Sequence, residues 1–346
     1  MTQMNAFLKG ILDGINTLFN NYGWSIIVFT LLIKLVLLPF DYKSRVGMRK
    51  TTRIQPQVAA LQKKYANDKE KLNAKMAELY KKEGVNPLSS CLPMLLTLPI
   101  LFAMFTAMRM VANEHLVQQT FAILQGNEPV LENWLWIKNL WMPDSPFAAA
   151  WPDLNSLNLI PADIWQNAIA ALSPEALAEL SGKVEAATGV AVSAEAFNTN
   201  LKGTIQAIHT TMASMPALEG TLSYAERVAA IPGYEFNLIF TTVKVVKDFN
   251  GWFLLPLLSA GSQYLMSSLQ PTQPAGDQQQ PSTGNFMKWF FPLFTLWLCF
   301  SYTAAFALYW VASNLIAMAQ TWGINKYLDM KEKNAANVVT AEGKIK

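Results

Sequence analysis

A single lysine inside an otherwise apolar stretch carries the strongest chemical signal in this sequence. Lys34 lies within Trp24–Phe40, which is apolar and long enough to cross a bilayer. A lysine near the centre of a membrane costs about 2.5–3.5 kcal/mol on insertion scales, so its side chain must face water or protein. Thr30 is one helical turn earlier on the same face. We predict a cation in a hydrated intramembrane cavity; snorkelling of Lys34 toward the cytoplasm is the alternative.

Other polar side chains occur in the remaining apolar stretches, where they would line the same cavity or bond helices together. None of these stretches contains an acidic residue that could pair with Lys34. Water or an anionic group of a substrate would therefore have to satisfy the cation. The predicted groove residues are Lys34, Thr30, Thr97, Gln263, Ser301, Tyr309, Ser313, Asn314 and Gln320.

The rare residue types argue against enzyme chemistry and metal binding. Cys91 and Cys299 are the only cysteines, and His115 and His209 are the only histidines, with no ligand-like spacing. The sequence contains no phosphate-binding loop, dinucleotide fingerprint, zinc-protease motif or serine-nucleophile motif. We therefore predict no catalytic residue, no metal and no cofactor.

The composition indicates a membrane protein with polar segments outside the bilayer. Hydrophobic residues make up 52% and charged residues 15%, and the mean hydropathy is +0.19; soluble domains carry about 25% charged residues. We predict an all-α membrane protein with five transmembrane helices around a hydrophilic groove, a cytoplasmic helical hairpin and an extra external helical domain. The predicted spans are residues 24–40, 87–110, 249–269, 286–302 and 303–325.

The distribution of charge predicts the orientation. Residues 41–83 contain 12 Lys/Arg and 5 Asp/Glu, whereas residues 111–248 contain 6 and 14. Because short loops rich in Lys and Arg stay in the cytoplasm, the N-terminus is predicted outside and the C-terminus inside the bacterial plasma membrane. The net charge of only +3 gives no reason to expect DNA binding.

The segments outside the spans have distinct patterns. Residues 1–23 predict an external interfacial amphipathic helix, residues 111–144 an external Trp-rich interfacial segment, and residues 145–248 an Ala-rich helical insertion. The cytoplasmic parts are the 41–86 hairpin, a flexible 270–285 loop and a 326–346 tail, whose last 15 residues we expect to be disordered.

The hairpin has apolar seams typical of packed helices, with Ile54 and Val58 in one arm and Met76 and Leu79 in the other. Its remaining faces are basic, which fits either a solvated surface or a surface for anionic lipid or ribosomal RNA. The basic residues are Lys63, Lys64, Lys69, Lys71, Lys75, Lys81 and Lys82.

Four segments resemble those of the YidC family of bacterial membrane protein insertases. They are NNYGWSIIVFTLLIKLVLLPFDYKS, GVNPLSSCLPMLLTLPILFAMF, NWLWIKNLWMPD and ALYWVASNLIAMAQ, in this order. Two positions depart from the family's pattern, since Lys34 replaces the usual intramembrane arginine and Thr97 a common glutamine. The insertion at 145–248 has no counterpart in short family members.

The resemblance implies a membrane insertase and chaperone. Short hydrophilic segments of nascent membrane proteins would enter the cation-containing groove, and their transmembrane helices would then pass into the bilayer. The implied partners are nascent membrane proteins, the lipid bilayer, the ribosome and the Sec translocon. Two alternatives remain open from the residues alone: a small transporter or channel that uses Lys34, and a structural assembly factor.

Overall fold

The computed structural model describes residues 2–84, 92–237, 242–269 and 283–342, and most of them are helical. For residues 92–97, 283–287 and 335–342 it describes the backbone alone. The elements are α1 Thr2–Phe19, α2 Tyr22–Lys64, α3 Lys69–Lys82, α4 Leu92–Leu124, α5 Leu154–Leu157, α6 Ala162–Ala170, α7 Pro174–Thr188, α8 Ala194–Thr199, α9 Leu201–Ser214, α10 Tyr224–Val228, β1 Ala230–Asn237, β2 Thr242–Val246, α11 Leu254–Leu269, α12 Thr283–Ser301 and α13 Ala304–Glu342.

Two helices in the described part of the chain are long and apolar enough to cross a membrane by length and composition. They are α2 and the Leu98–Leu124 part of α4. Helix α2 is continuous through Pro39 and Pro56, so it contains both the first predicted span and the first arm of the hairpin. Large apolar side chains such as Leu35 and Val36 are exposed on this helix, as lipid-facing residues would be.

The predicted hairpin forms around the apolar seam that the sequence predicts. Ile54 and Val58 of α2 are buried, and Met76, Leu79 and Tyr80 of α3 pack against them. A short turn separates the arms, and the Asp68 side chain caps α3 by accepting a hydrogen bond from the backbone N–H of Lys71 at 3.0 Å.

The 145–248 region is helical only in its first part. Helices α5 to α10 pack around buried aromatic residues, where the rings of Trp165 and Phe197 stack at 5.1 Å. The prediction of a purely helical insertion is wrong for its last part, because β1 and β2 form an antiparallel two-stranded ribbon. The alternating apolar and polar residues and the β-branched residues of β2 favour strands over helices.

The break between α12 and α13 lies at residues 302–303, where the sequence predicts the division between the last two spans. Beyond this point α13 continues to Glu342. The expectation of a disordered end is therefore wrong for residues 332–342, where the backbone keeps the hydrogen-bonded helix that began in the apolar segment.

The chain forms two compact units. The first comprises residues 1–27, 103–258 and 296–309, and the second comprises 28–102, 259–295 and 310–346. Most predicted groove residues belong to the second unit.

Candidate functional site

Lys34 is joined to α13 through its backbone. The Nε2 atom of Gln320 donates a hydrogen bond to the backbone oxygen of Lys34 at 2.9 Å. Thr30, one turn earlier on α2, is buried. Among the described residues, the Oε1 atom of Gln320 is buried and has no hydrogen-bond donor. Two predicted groove residues, Lys34 and Gln320, are thus brought together within the second unit.

The side chain of Lys34 is partly buried and makes no ion pair with any residue that the structure describes. It does interact electrostatically with Asp41, two helical turns further along α2. Asp41 also interacts with Arg45. The sequence analysis considered acids only inside the spans and so overlooked Asp41, which follows Phe40. Lys34 and Asp41 are seven residues apart, which places both charges on one face of a helix. This spacing could have revealed their interaction.

A second polar cluster connects α11 and α13 in the same unit. Asn314 donates through Nδ2 to Ser262 Oγ at 3.1 Å and to Gln263 Oε1 at 3.3 Å. The indole N–H of Trp310 donates to the same Gln263 oxygen at 3.2 Å. These groups lie in apolar helical segments, where an unpaired amide would be costly. Two predicted groove residues, Gln263 and Asn314, are therefore in direct contact.

The remaining groove candidates have other surroundings. The side chain of Thr97 lies outside the described residues, although its backbone is part of α4. Ser313 is partly buried in the second unit. Ser301 and Tyr309 belong to the first unit. Ser301 is exposed and donates to the backbone oxygen of Trp297 in its own helix.

A polar contact between α2 and α13 was missed by the sequence analysis. Arg45 donates to Thr321 Oγ1, and Arg49 donates to the backbone oxygen of Asn325 at 2.9 Å. Arg49 also forms an ion pair with Asp329 at 2.7 Å. Both helices present these residues at spacings of four, which is the signal that could have suggested a shared face.

The seven lysines predicted to form the basic surface of the hairpin are all exposed. Two of them form ion pairs within the hairpin, Lys71 with Asp68 at 3.1 Å and Lys75 with Glu78 at 2.7 Å. The other five have no ion pair among the described residues, so the surface has a positive charge that is not neutralised locally. The two ion pairs, Lys71–Asp68 and Lys75–Glu78, contribute little to the free energy of unfolding because they are exposed.

The described residues contain no group of three or more His, Cys, Asp or Glu side chains that could hold a metal ion. The polar clusters around Lys34 and Asn314 contain hydrogen-bonding groups and one cation that a ligand could contact. Such groups can bind and solvate a polar segment in a membrane.

Comparison with known proteins assigns the chain to a family. The family model described as "60Kd inner membrane protein" matches residues 14–217 and 193–333, which together cover most of the sequence. The chain belongs to this family. The description agrees with the two apolar helices long enough to cross a membrane and identifies a bacterial inner-membrane protein.

Curated relatives of the chain are named "Membrane protein insertase YidC". The relative from Fusobacterium nucleatum is 44% identical over 106 residues, which are 31% of this chain and 52% of the relative. The relative from Clostridium perfringens is 40% identical over 126 residues, or 36% and 47% of the two chains. The relative from Helicobacter pylori is 41% identical over 102 residues, or 29% and 19%. The matches thus span about half or less of each relative.

Proposed function

We propose that this protein is a membrane protein insertase, the activity for which its relatives are named, and that it acts as a chaperone for its substrates. It would move short hydrophilic segments of nascent membrane proteins into a polar groove and release the adjoining transmembrane helices into lipid. The observation that carries the proposal is the pair of polar clusters at Lys34–Gln320 and Asn314–Gln263, both within apolar helical segments of one unit.

The proposed topology has five spans. Helix α1 lies at the outer interface, the first part of α2 crosses the membrane, and α2 and α3 form the hairpin in the cytoplasm. Helices α4, α11, α12 and α13 supply the other four spans. This arrangement places the N-terminus and residues 111–248 outside, in accordance with the excess of acidic residues there and of basic residues in the hairpin.

Lys34 is the proposed binding group for acidic residues of the incoming segment. Its ammonium group has no ion pair among the described residues, and Asp41 and Arg45 continue the polar face toward the cytoplasm. In a site with little water, a fixed cation attracts a carboxylate more strongly than in bulk solvent. The groove thereby lowers the cost of bringing a charged segment into the membrane.

Hydrophobic partitioning is the proposed driving force. Once the hydrophilic segment is in the groove, the following apolar helix moves sideways into lipid, where burial of apolar area is worth about 25 cal/mol per Å². The membrane potential assists outward transfer of acidic residues by about 2.3 kcal/mol per charge per 100 mV. Neither step makes or breaks a covalent bond, so the proposed activity is not enzymatic and needs no cofactor.

The proposed partners are nascent membrane proteins, the lipid bilayer, the ribosome and the Sec translocon. The exposed basic surface of the hairpin would contact ribosomal RNA or anionic lipid, because phosphate groups attract Lys side chains in a salt-dependent manner. DNA binding is not proposed.

Substitution of Lys34 tests this function. Lys34→Ala should lower insertion of a substrate with an acidic N-terminal tail by about tenfold, which corresponds to the loss of ~1.4 kcal/mol of attraction. Lys34→Arg should insert this substrate normally because the charge is kept. Insertion is measured in proteoliposomes as protection of the tail from protease.

The matched control is the same substrate with an uncharged tail, which Lys34→Ala should insert nearly as well as the unmodified chain. Lys202→Ala removes an exposed positive charge from the 145–248 region and should leave insertion of both substrates unchanged. Normal insertion of the acidic-tailed substrate by Lys34→Ala would refute the proposed role of the groove cation.

A further inference from the structure

The β1–β2 ribbon of the external region has two chemically different faces. Glu235 and Lys244 are cross-strand partners and form an ion pair at 2.9 Å on one face. Phe236 is paired with Val243 on the opposite face, and Val245 lies on that same face because side chains alternate along a strand. Tyr234 comes just before these residues, where the register of the ribbon is irregular. The second face is thus apolar and aromatic.

The aromatic side chains of the ribbon are largely exposed, whereas Val243 and Val245 are partly buried. Tyr234 is 60% exposed and Phe236 is 51% exposed. A two-stranded ribbon cannot bury both of its faces, and an isolated one is only marginally stable in water. Exposed apolar surface next to a charged face is typical of a surface that has a partner.

A chain of aromatic contacts connects the ribbon to the outer end of α12. The rings of Phe236 and Phe147 are 6.1 Å apart, and Phe147 lies 6.1 Å from Phe300. Phe300 is the residue before the last one of α12, and it also contacts Phe253 at 5.7 Å. All four residues belong to the first unit. If α12 is a span, its end lies at the outer boundary of the membrane, and the ribbon lies at the same height.

Trp252 provides a second, independent indication of the same boundary. It precedes α11, contacts Phe249 and is 63% exposed. Tryptophan and tyrosine side chains favour the interface between lipid and water, because one part of each ring system is apolar and the other is polar.

We propose that the apolar face of the ribbon, formed by Phe236, Val243 and Val245 with the exposed Tyr234 beside it, lies on the outer leaflet of the lipid bilayer and attaches the external region to the membrane surface. Glu235 and Lys244 face the aqueous side. The inference rests on the assignment of α12 as a span under the proposed function. Lipid is the occupant favoured by continuity with the end of that span.

Site-directed spin labelling of the full chain in proteoliposomes tests the proposal. Labels are attached to Tyr234→Cys and, as the matched control on the opposite face, to Lys244→Cys, both in a Cys91→Ala/Cys299→Ala background. Collision with oxygen, which concentrates in lipid, is compared with collision with a water-soluble nickel reagent. The ratio of oxygen to nickel collisions should be several-fold higher at 234 than at 244.

Two further labels separate the possible outcomes. Leu159→Cys marks an exposed apolar residue elsewhere in the external region and should give a low ratio. Leu293→Cys marks an exposed residue of α12 and should give a high ratio. A low ratio of oxygen to nickel collisions at 234 with a high ratio at 293 would overturn the proposed attachment of the ribbon to lipid, but would leave the assignment of α12 as a span intact. A low ratio at 293 overturns the span assignment as well.

A protein partner would give a third result, in which the label at 234 is immobilised and shielded from both reagents; this also overturns the proposal. If removal of the cysteines lowers the thermal unfolding midpoint, a genetically encoded spin-labelled residue at 234 in the unmodified background replaces the first label. The same ratios then decide the outcome.

Discussion

At the scale of single residues, the contact between Gln320 and Lys34 connects the proposed cation to a second helix. The amide nitrogen of Gln320 is occupied by the Lys34 backbone, while its oxygen is buried without a donor among the described residues. A buried acceptor of this kind is costly unless a water, a cation or a substrate group satisfies it. We expect this oxygen to be part of the polar lining that an incoming segment meets.

A charge placed at Gln320 should therefore compete with the substrate. In Gln320→Glu, the new carboxylate would attract the Lys34 ammonium group and reduce insertion of an acidic-tailed substrate several-fold, whereas the same substrate with an uncharged tail should be unaffected. Protease protection in proteoliposomes measures both. Gln320→Met, which is similar in size and uncharged, is the control and should keep more activity on the acidic tail than Gln320→Glu. Equal activity of the two variants would contradict this role.

At the scale of elements, a buried carboxylate holds the beginning of α11. The side chain of Asp144 is fully buried and accepts hydrogen bonds from the backbone N–H groups of Phe253 at 3.1 Å and Leu255 at 2.7 Å. The indole of Trp136 donates to it as well, at 3.2 Å. A carboxylate at a helix N-terminus satisfies N–H groups that have no partner within the helix. Asp144 therefore fixes the position where α11 begins.

Removal of this acceptor should destabilise the protein. In Asp144→Asn, an NH₂ group replaces one acceptor and faces backbone donors, which we expect to cost about 1–3 kcal/mol of the free energy of unfolding. The midpoint of thermal unfolding in detergent micelles measures the loss. Glu219→Gln, an exposed carboxylate in the external region, is the control and should leave the midpoint unchanged. If Asp144→Asn also left the midpoint of thermal unfolding unchanged, the hydrogen bonds accepted by Asp144 would contribute nothing to the free energy of unfolding.

Several elements could be predicted from local pattern, and others could not. Ile54 and Val58 recur at helical spacing and find partners in α3, and Ser173 caps α7 with Pro174 as the first helical residue, as its sequence indicates. The β ribbon was missed because its alternation is short and interrupted by Pro232-Gly233. Asp41 was missed because it lies just outside the predicted span, although its spacing from Lys34 places both on one face of α2. Arg49 was missed because its partners are on α13, and spacing along one helix does not say which helix is its neighbour.

At the scale of the whole molecule, the 145–248 insertion begins and ends at adjacent points. The backbone N–H of Ala150 donates to the oxygen of Asp248 at 3.0 Å, and Ala149 forms an antiparallel bridge with Phe249. The chain can therefore leave and rejoin the membrane-proximal segments with little rearrangement. This geometry is typical of an inserted domain that adds to an existing fold.

Deletion of the region should leave insertion intact. Replacing residues 151–247 with a short Gly-Ser linker should give a chain that inserts the acidic-tailed substrate at an unchanged rate, because the Lys34 and Asn314 clusters lie in the other unit. Phe121 packs on Trp165 at 6.0 Å and would be uncovered. It is therefore changed to Ser in the same variant. Loss of insertion by a deleted chain with a normal helical circular dichroism spectrum would show that the external region takes part in the reaction.

Under the proposed function, the groove around Lys34 receives the hydrophilic segment of a nascent membrane protein. Photo-crosslinking to a ribosome-bound nascent chain tests it most directly, with the reactive residue placed at Thr30, Gln263 or Ser313 so that Lys34 is retained. We predict crosslinks from all three positions to the acidic segment, none from a control position at Leu159, and strongly reduced crosslinks when Lys34→Ala is added. Normal insertion without any crosslink from these three positions would contradict the account.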